Sequence, residues 1–265
     1  MAYELDMRGV ASRVGGLSTA FSRTDAAGLW RANEPVGMTE DANSNRIFET
    51  LDEGGWSVWY DPDGNLEIVP SDDPYAGNNK AGRITYPAGM AGGGGNPSTG
   101  MNYPSDVKRI YMCMSWAVSD NWQGHPTGTN KIHFMTTDDF GGGGDPAFLS
   151  YETNLTPKQI VIRHQGPDVT IKSLAPNIET VEILAGQNYL VEVELVMNTP
   201  GNLDGEARLW INGTLTTNFS DIEWVNAGYM WNILVWGPIW GGGGGTVTNE
   251  MFMEISRLWA SRSSS

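Results

Sequence analysis

From residue 107 to residue 118 the side chains alternate without a break. Ile110, Met112, Met114, Trp116 and Val118 fall on one side, and Arg109, Tyr111, Cys113, Ser115 and Ala117 fall on the other. A strand turns successive side chains to opposite faces, so this run describes a strand with one face in an apolar core. Tyr189, Val191, Val193, Leu195 and Met197 repeat the pattern. Trp56, Val58 and Tyr60 alternate with Ser57 and Trp59, and Asp61-Pro62-Asp63-Gly64 then turns the chain into residues 66–69. Residues 206–211 run into Asn212-Gly213 and then 214–218, the strongest short hairpin signal, because both turn positions need positive φ. Segments 131–135, 159–164, 169–174, 180–184, 230–236 and 250–260 also read as strands. With 34 Gly and 14 Pro punctuating 265 residues, many short strands are favoured over long helices. The reading is all-β: a two-sheet antiparallel sandwich, with no repeat of propeller or solenoid length.

Residues 1–50 follow another pattern. Leu5, Met7, Val10, Val14 and Leu17 are loosely spaced around Gly15-Gly16. This part is expected to be a lead-in or attachment arm, with the sandwich over 51–265. No apolar leader is visible near the N-terminus, and no apolar run approaches the ~20 residues of a membrane helix. The chain is therefore expected to be soluble, either cytoplasmic or released by lysis onto a virion or another extracellular assembly. The formal charge of −15 repels phosphate backbones, which argues against nucleic acid as a partner. Cys113 is the only cysteine and lies in the best strand, where a buried, inert thiol is expected.

Residues 202–215 read Asn-Leu-Asp-Gly-Glu-Ala-Arg-Leu-Trp-Ile-Asn-Gly-Thr-Leu, and residues 250–260 read Glu-Met-Phe-Met-Glu-Ile-Ser-Arg-Leu-Trp-Ala. A polar turn, a strand ending in Trp-Ile-Asn-Gly and a late closing strand resemble the laminin-G-like and concanavalin A-like lectin/glucanase superfamily. The resemblance implies a jelly-roll sandwich over residues 56–260. That superfamily includes lectins, glycosidases, polysaccharide lyases and adhesive virion domains, so fold alone does not choose an activity.

Each chemistry leaves its own candidates. Retaining glycosidases need two carboxylates about 5–5.5 Å apart. Glu192 and Glu194 share a strand face, with a solvated strand face as the simpler reading, and the Glu-x-Asp-x-x-Glu of laminarinase-like members is absent. The resemblance to alginate-lyase-like jelly rolls implies a His and a Tyr as acid and base. His133, in Lys131-Ile132-His133, resembles their Gln-Ile-His strand with its side chain turned away from Ile132 and Phe134, although Lys131 replaces the Gln. Their Arg-x-Glu-x-Arg and Tyr-x-Lys-x-Gly-x-Tyr strands are missing. Sugar binding needs aromatic faces and a few fixed polar groups. Trp122, His125, Arg163, Asn232, Trp236 and Trp240 are the candidates for it. Asp138, Asp139 and Asp145 bracket Gly141 to Gly144 and offer oxygen ligands for Ca²⁺, although no cofactor is required. The expected function is glycan binding without a catalytic motif. A polysaccharide lyase is the alternative, and a structural virion decoration or fibre protein, homo-oligomeric or docked through residues 1–50, is a further one.

Overall fold

The computed structural model describes residues 29–264 except 42–43, 53–54, 94–95, 138–146, 166–170 and 227. In chain order the strands are β1 (Asn45–Arg46), β2 (Ser57–Tyr60), β3 (Leu66–Pro70), β4 (Lys80–Tyr86), β5 (Ser98–Val107), β6 (Arg109–Val118), β7 (Thr129–Thr137) and β8 (Ala147–Glu152). They continue as β9 (Gln159–Gln165), β10 (Ile171–Leu174), β11 (Tyr189–Val196), β12 (Gly205–Ile211), β13 (Thr214–Ile222), β14 (Trp231–Trp236) and β15 (Met251–Ser263). One sheet runs β13-β12-β11-β6-β15-β4-β3, with β1 on the second half of β15. The other runs β10-β9-β8-β7-β14-β5-β2, and every pairing is antiparallel. This is the two-sheet jelly-roll sandwich that the alternation predicts. No helix among the described residues is long and apolar enough to cross a membrane.

The alternation in β6 and β11 sends Met112, Met114, Trp116, Val191, Val193 and Leu195 into one core with Ile255 of the neighbouring β15 and with Leu149, Ile162 and Leu234 from the facing sheet. Burying side chains of this size stabilises the fold by about 1.5–3 kcal/mol each. Asn212 (φ 50°) and Gly213 (φ 78°) both take the left-handed conformation, as the hairpin requires. Residues 180–184 are not a strand. Only Ile183 is fully buried there, while Leu184 remains 46% exposed. Strands β4, β5 and β8 escape a pattern reading for identifiable reasons. Gly82 and Gly100 interrupt the alternation of β4 and β5. All six residues of β8 are buried, so it shows no wet face.

Residues 29–41 lie across the outer face of the first sheet. Trp30 stacks on Tyr75 with ring centres 6.0 Å apart. The Arg31 guanidinium sits 3.4 Å above the Trp259 ring. Thr39 forms a bridge with Arg262. Residues 1–28 of the expected arm lie outside the described residues.

Candidate functional site

The register of the second sheet places one residue from each strand in a single row. Ser57 pairs with Gly100, Gly100 with Val235, Val235 with Phe134, Phe134 with Phe148, Phe148 with Arg163, and Arg163 with Ser173. Directly opposed residues share a face, and this row lies on the side away from the core. Phe134, Phe148 and Val235 form a small apolar cluster of their own, joined by Ile233 and Ile239.

The middle of the row is apolar and one end is cationic. The Lys131 ammonium stands 5.5 Å from the Phe134 ring centre and 5.1 Å from that of Phe148, within cation–π range. Beside Phe148, Arg163 binds the buried Glu152 carboxylate side-on. Its Nε donates to Oε1 at 3.0 Å and its Nη2 lies 2.7 Å from Oε2. Thr129 Oγ1 also donates to Glu152, at 3.3 Å. A side-on guanidinium leaves its remaining N–H groups directed elsewhere, and the Arg163 side chain keeps 20% exposure. This geometry suits a second, external carboxylate.

An aromatic shelf occupies the opposite end. Trp59 is 40% exposed and lies over Gly100, where a Cβ would come 2.6 Å from the indole. Its Nε1 donates to Ser57 Oγ at 3.0 Å. The glycine lets the ring lie against the sheet, and the serine fixes its edge.

Of the residues singled out from sequence, Arg163 alone reaches this row. His133 does not stand on the outer face. A register shift between Lys131 and His133 turns the imidazole into the interior, fully buried and edge-on to Trp56 at 6.2 Å. Its Nδ1 donates to the Phe134 carbonyl at 3.0 Å, and burial pushes its pKa down to about 3. It is neutral there and away from solvent.

Glu192 and Glu194 lie on the other sheet and are not a solvated face. Glu192 is fully buried and accepts from Tyr111 Oη at 2.8 Å and from the Asn33 amide at 3.1 Å. Burial raises its pKa. Glu194 is held between Arg109 (2.7 Å) and Arg208 (2.6 Å). Neither carboxylate is open to a sugar.

Trp122, His125 and Trp240 belong to a buried knot at one end of the sandwich. Gly93 donates to the Trp240 carbonyl at 3.2 Å, and Gly92 donates to Gly245 at 3.3 Å, so two glycine runs close on each other. His125 Nε2 donates to the Gly244 carbonyl at 2.7 Å, and its ring meets Trp240 at 4.7 Å. Trp122 packs edge-on to Tyr86. Trp236 faces the core against Phe48. Asn232 occupies the register shift of β14 and is 8% exposed. Asp138, Asp139 and Asp145 lie outside the described residues, and among the described residues no group of three or more His, Cys, Asp or Glu is arranged to hold a metal. Lys131, Phe134, Phe148 and Trp59 were missed from sequence, because what joins them is register across strands distant in the chain.

No protein-family model matches the chain, and neither does any curated protein sequence. Solved structures do match in fold. Alginate lyase Aly36B, in a mutant complex with alginate trisaccharide, shares 15% identity over 79% of this chain and 88% of its own, with a TM-score of 0.60. The endo-β-1,4-glucuronan lyase of the fungus Trichoderma reesei shares 15% identity over 79% and 92%, with a TM-score of 0.57. Alginate lyase vAL-1 from a Chlorella virus shares 14% identity over 79% and 94%, with a TM-score of 0.52. The chain shares the two-sheet antiparallel jelly-roll fold of these solved structures.

Proposed function

We propose that the protein takes uronate-containing polysaccharides along the Ser57–Ser173 row and cleaves them by β-elimination. The observation that carries this reading is Arg163, fixed side-on by Glu152 with the rest of its guanidinium left for an external carboxylate. Pairing a uronate carboxylate with Arg163 would withdraw charge and make the neighbouring C–H more acidic, since the guanidinium favours the electron-rich intermediate. Lys131, over the cross-strand partner of Arg163, would take that proton as the neutral amine and return it to the glycosidic oxygen as the C–O bond breaks and the ring C=C forms. The similar folds are those of enzymes acting on alginate and glucuronan, which supports a polyuronate as the substrate class.

The test is absorbance at about 235 nm, where the unsaturated uronate product absorbs, during incubation with alginate and glucuronan. Product from the parent protein and none from Lys131→Ala, with binding retained, is the expected result. Product formation unchanged in Lys131→Ala would overturn the assignment of the base. A second reading, recognition without turnover, is favoured by His133, which this chain turns into its core. Retention on alginate affinity gels with no absorbance change would select it.

A further inference from the structure

We infer that Trp59 is a separate aromatic subsite for an uncharged sugar face, and that it makes recognition at the row depend on ligand length. The inference rests on the polyuronate reading above and extends it. The Trp59 ring lies over Gly100 on β5, and Arg163 stands on β9 towards the other end of the row. Four strand steps separate β9 from β5. At the usual strand spacing they span about 19 Å. One sugar unit advances by roughly one strand spacing, so a chain crossing the strands passes about four units between the two ends.

The two ends have different chemistry. Arg163 attracts a carboxylate, an interaction that salt weakens. Trp59 offers an indole face, 40% exposed, of the kind that stacks on the apolar side of a pyranose. The shelf is built in advance. Gly100 is the one residue type that leaves room for the ring, and Ser57 Oγ holds its N–H at 3.0 Å. Between the ends, Val235, Phe134 and Phe148 supply an apolar floor with no further exposed aromatic ring among the described residues. A short oligomer therefore reaches one end, and a longer one bridges both. Bridging converts the second contact into an intramolecular event.

The experiment is titration of the intact protein with oligouronates of two to eight units, followed by calorimetry and by indole fluorescence, at low and at moderate salt. Affinity is expected to step up by about three- to tenfold once the oligomer spans the row. In Trp59→Ala the step disappears while the shortest oligomers bind as in the parent. Gly100→Ala, which displaces the ring without removing it, gives the same loss. Arg163→Lys weakens binding at every length but keeps the salt dependence, because the fork geometry is lost while the charge remains. An unchanged step in both Trp59→Ala and Gly100→Ala overturns the subsite and leaves the polyuronate reading standing. No binding by the parent protein at any length overturns the reading of the face, and the subsite falls with it.

Discussion

At the scale of single residues, the telling groups are those whose charge the fold fixes. Glu192 is buried on the first sheet, and burial raises its pKa. The folded state therefore holds its proton more tightly than the unfolded chain does. Its stabilising contribution is complete below the unfolded pKa and is lost as pH rises through the folded value. Glu192→Gln keeps an acceptor for Tyr111 and Asn33 while removing the charge, so its melting temperature should exceed the parent's at neutral pH and match it in acid. Equal melting temperatures at pH 7 would contradict this. His133 has the opposite sense. Its folded pKa of about 3 lies below the ordinary 6.5, so the unfolded chain binds the proton first and stability falls as pH drops from 6.5 towards 3. His133→Leu should flatten that limb of an acid-unfolding curve followed by circular dichroism. Removing the buried carboxylate of the Glu152–Arg163 pair by Glu152→Ala should cost about 1 kcal/mol in denaturant midpoint analysis, since the half-buried guanidinium loses its partner but can still reach water.

At the scale of elements, sequence and structure agree where a strand has one dry face and one wet one. Strands β6 and β11 were legible because they alternate, and the β12–β13 hairpin because Asn212-Gly213 admits few other conformations. The same rule misplaced His133, because period two holds only while the ladder is regular and β7 slips beside it. Glu192 and Glu194 alternate correctly, but Glu192 is covered by a segment more than 150 residues upstream in the chain, and Glu194 is held under Arg109 and Arg208 of the neighbouring strands. The row from Ser57 to Ser173 has no local signature at all. It exists only when seven strands adopt one register, so no motif could have disclosed it. Gly241, the first residue of a glycine-rich turn, is packed into the knot at one end of the sandwich. A Cβ on Gly241 would come 1.9 Å from the His125 ring, at a φ of +70°. Gly241→Ala should therefore destabilise by about 1–3 kcal/mol, to be read from urea unfolding. A change within 0.5 kcal/mol would show that the knot is slack.

At the scale of the whole molecule, the two outer faces have different duties. One carries the row, and the other is sealed by residues 29–41. That seal covers Tyr111, Cys113, Leu190 and Trp259 with Leu29, Trp30 and Met38. Burial pushes the Cys113 thiol well above its ordinary pKa. The native protein should resist thiol alkylation, and a chain lacking residues 1–41 should react readily while retaining its strand content. Rapid labelling of the intact chain would show that the cover opens on its own.

Strand β15 lies between β6 and β4, and also holds β1. Three earlier segments thus have no neighbour along one edge until residue 263 has left the ribosome. Translation delivers this keystone after every strand it pairs with, and a growing chain that has reached only residue 250 holds unpaired ladders that invite chaperones and proteases alike. The sandwich should accordingly close only after synthesis has passed that point, with stalled nascent chains turning protease-resistant at one late length instead of by degrees.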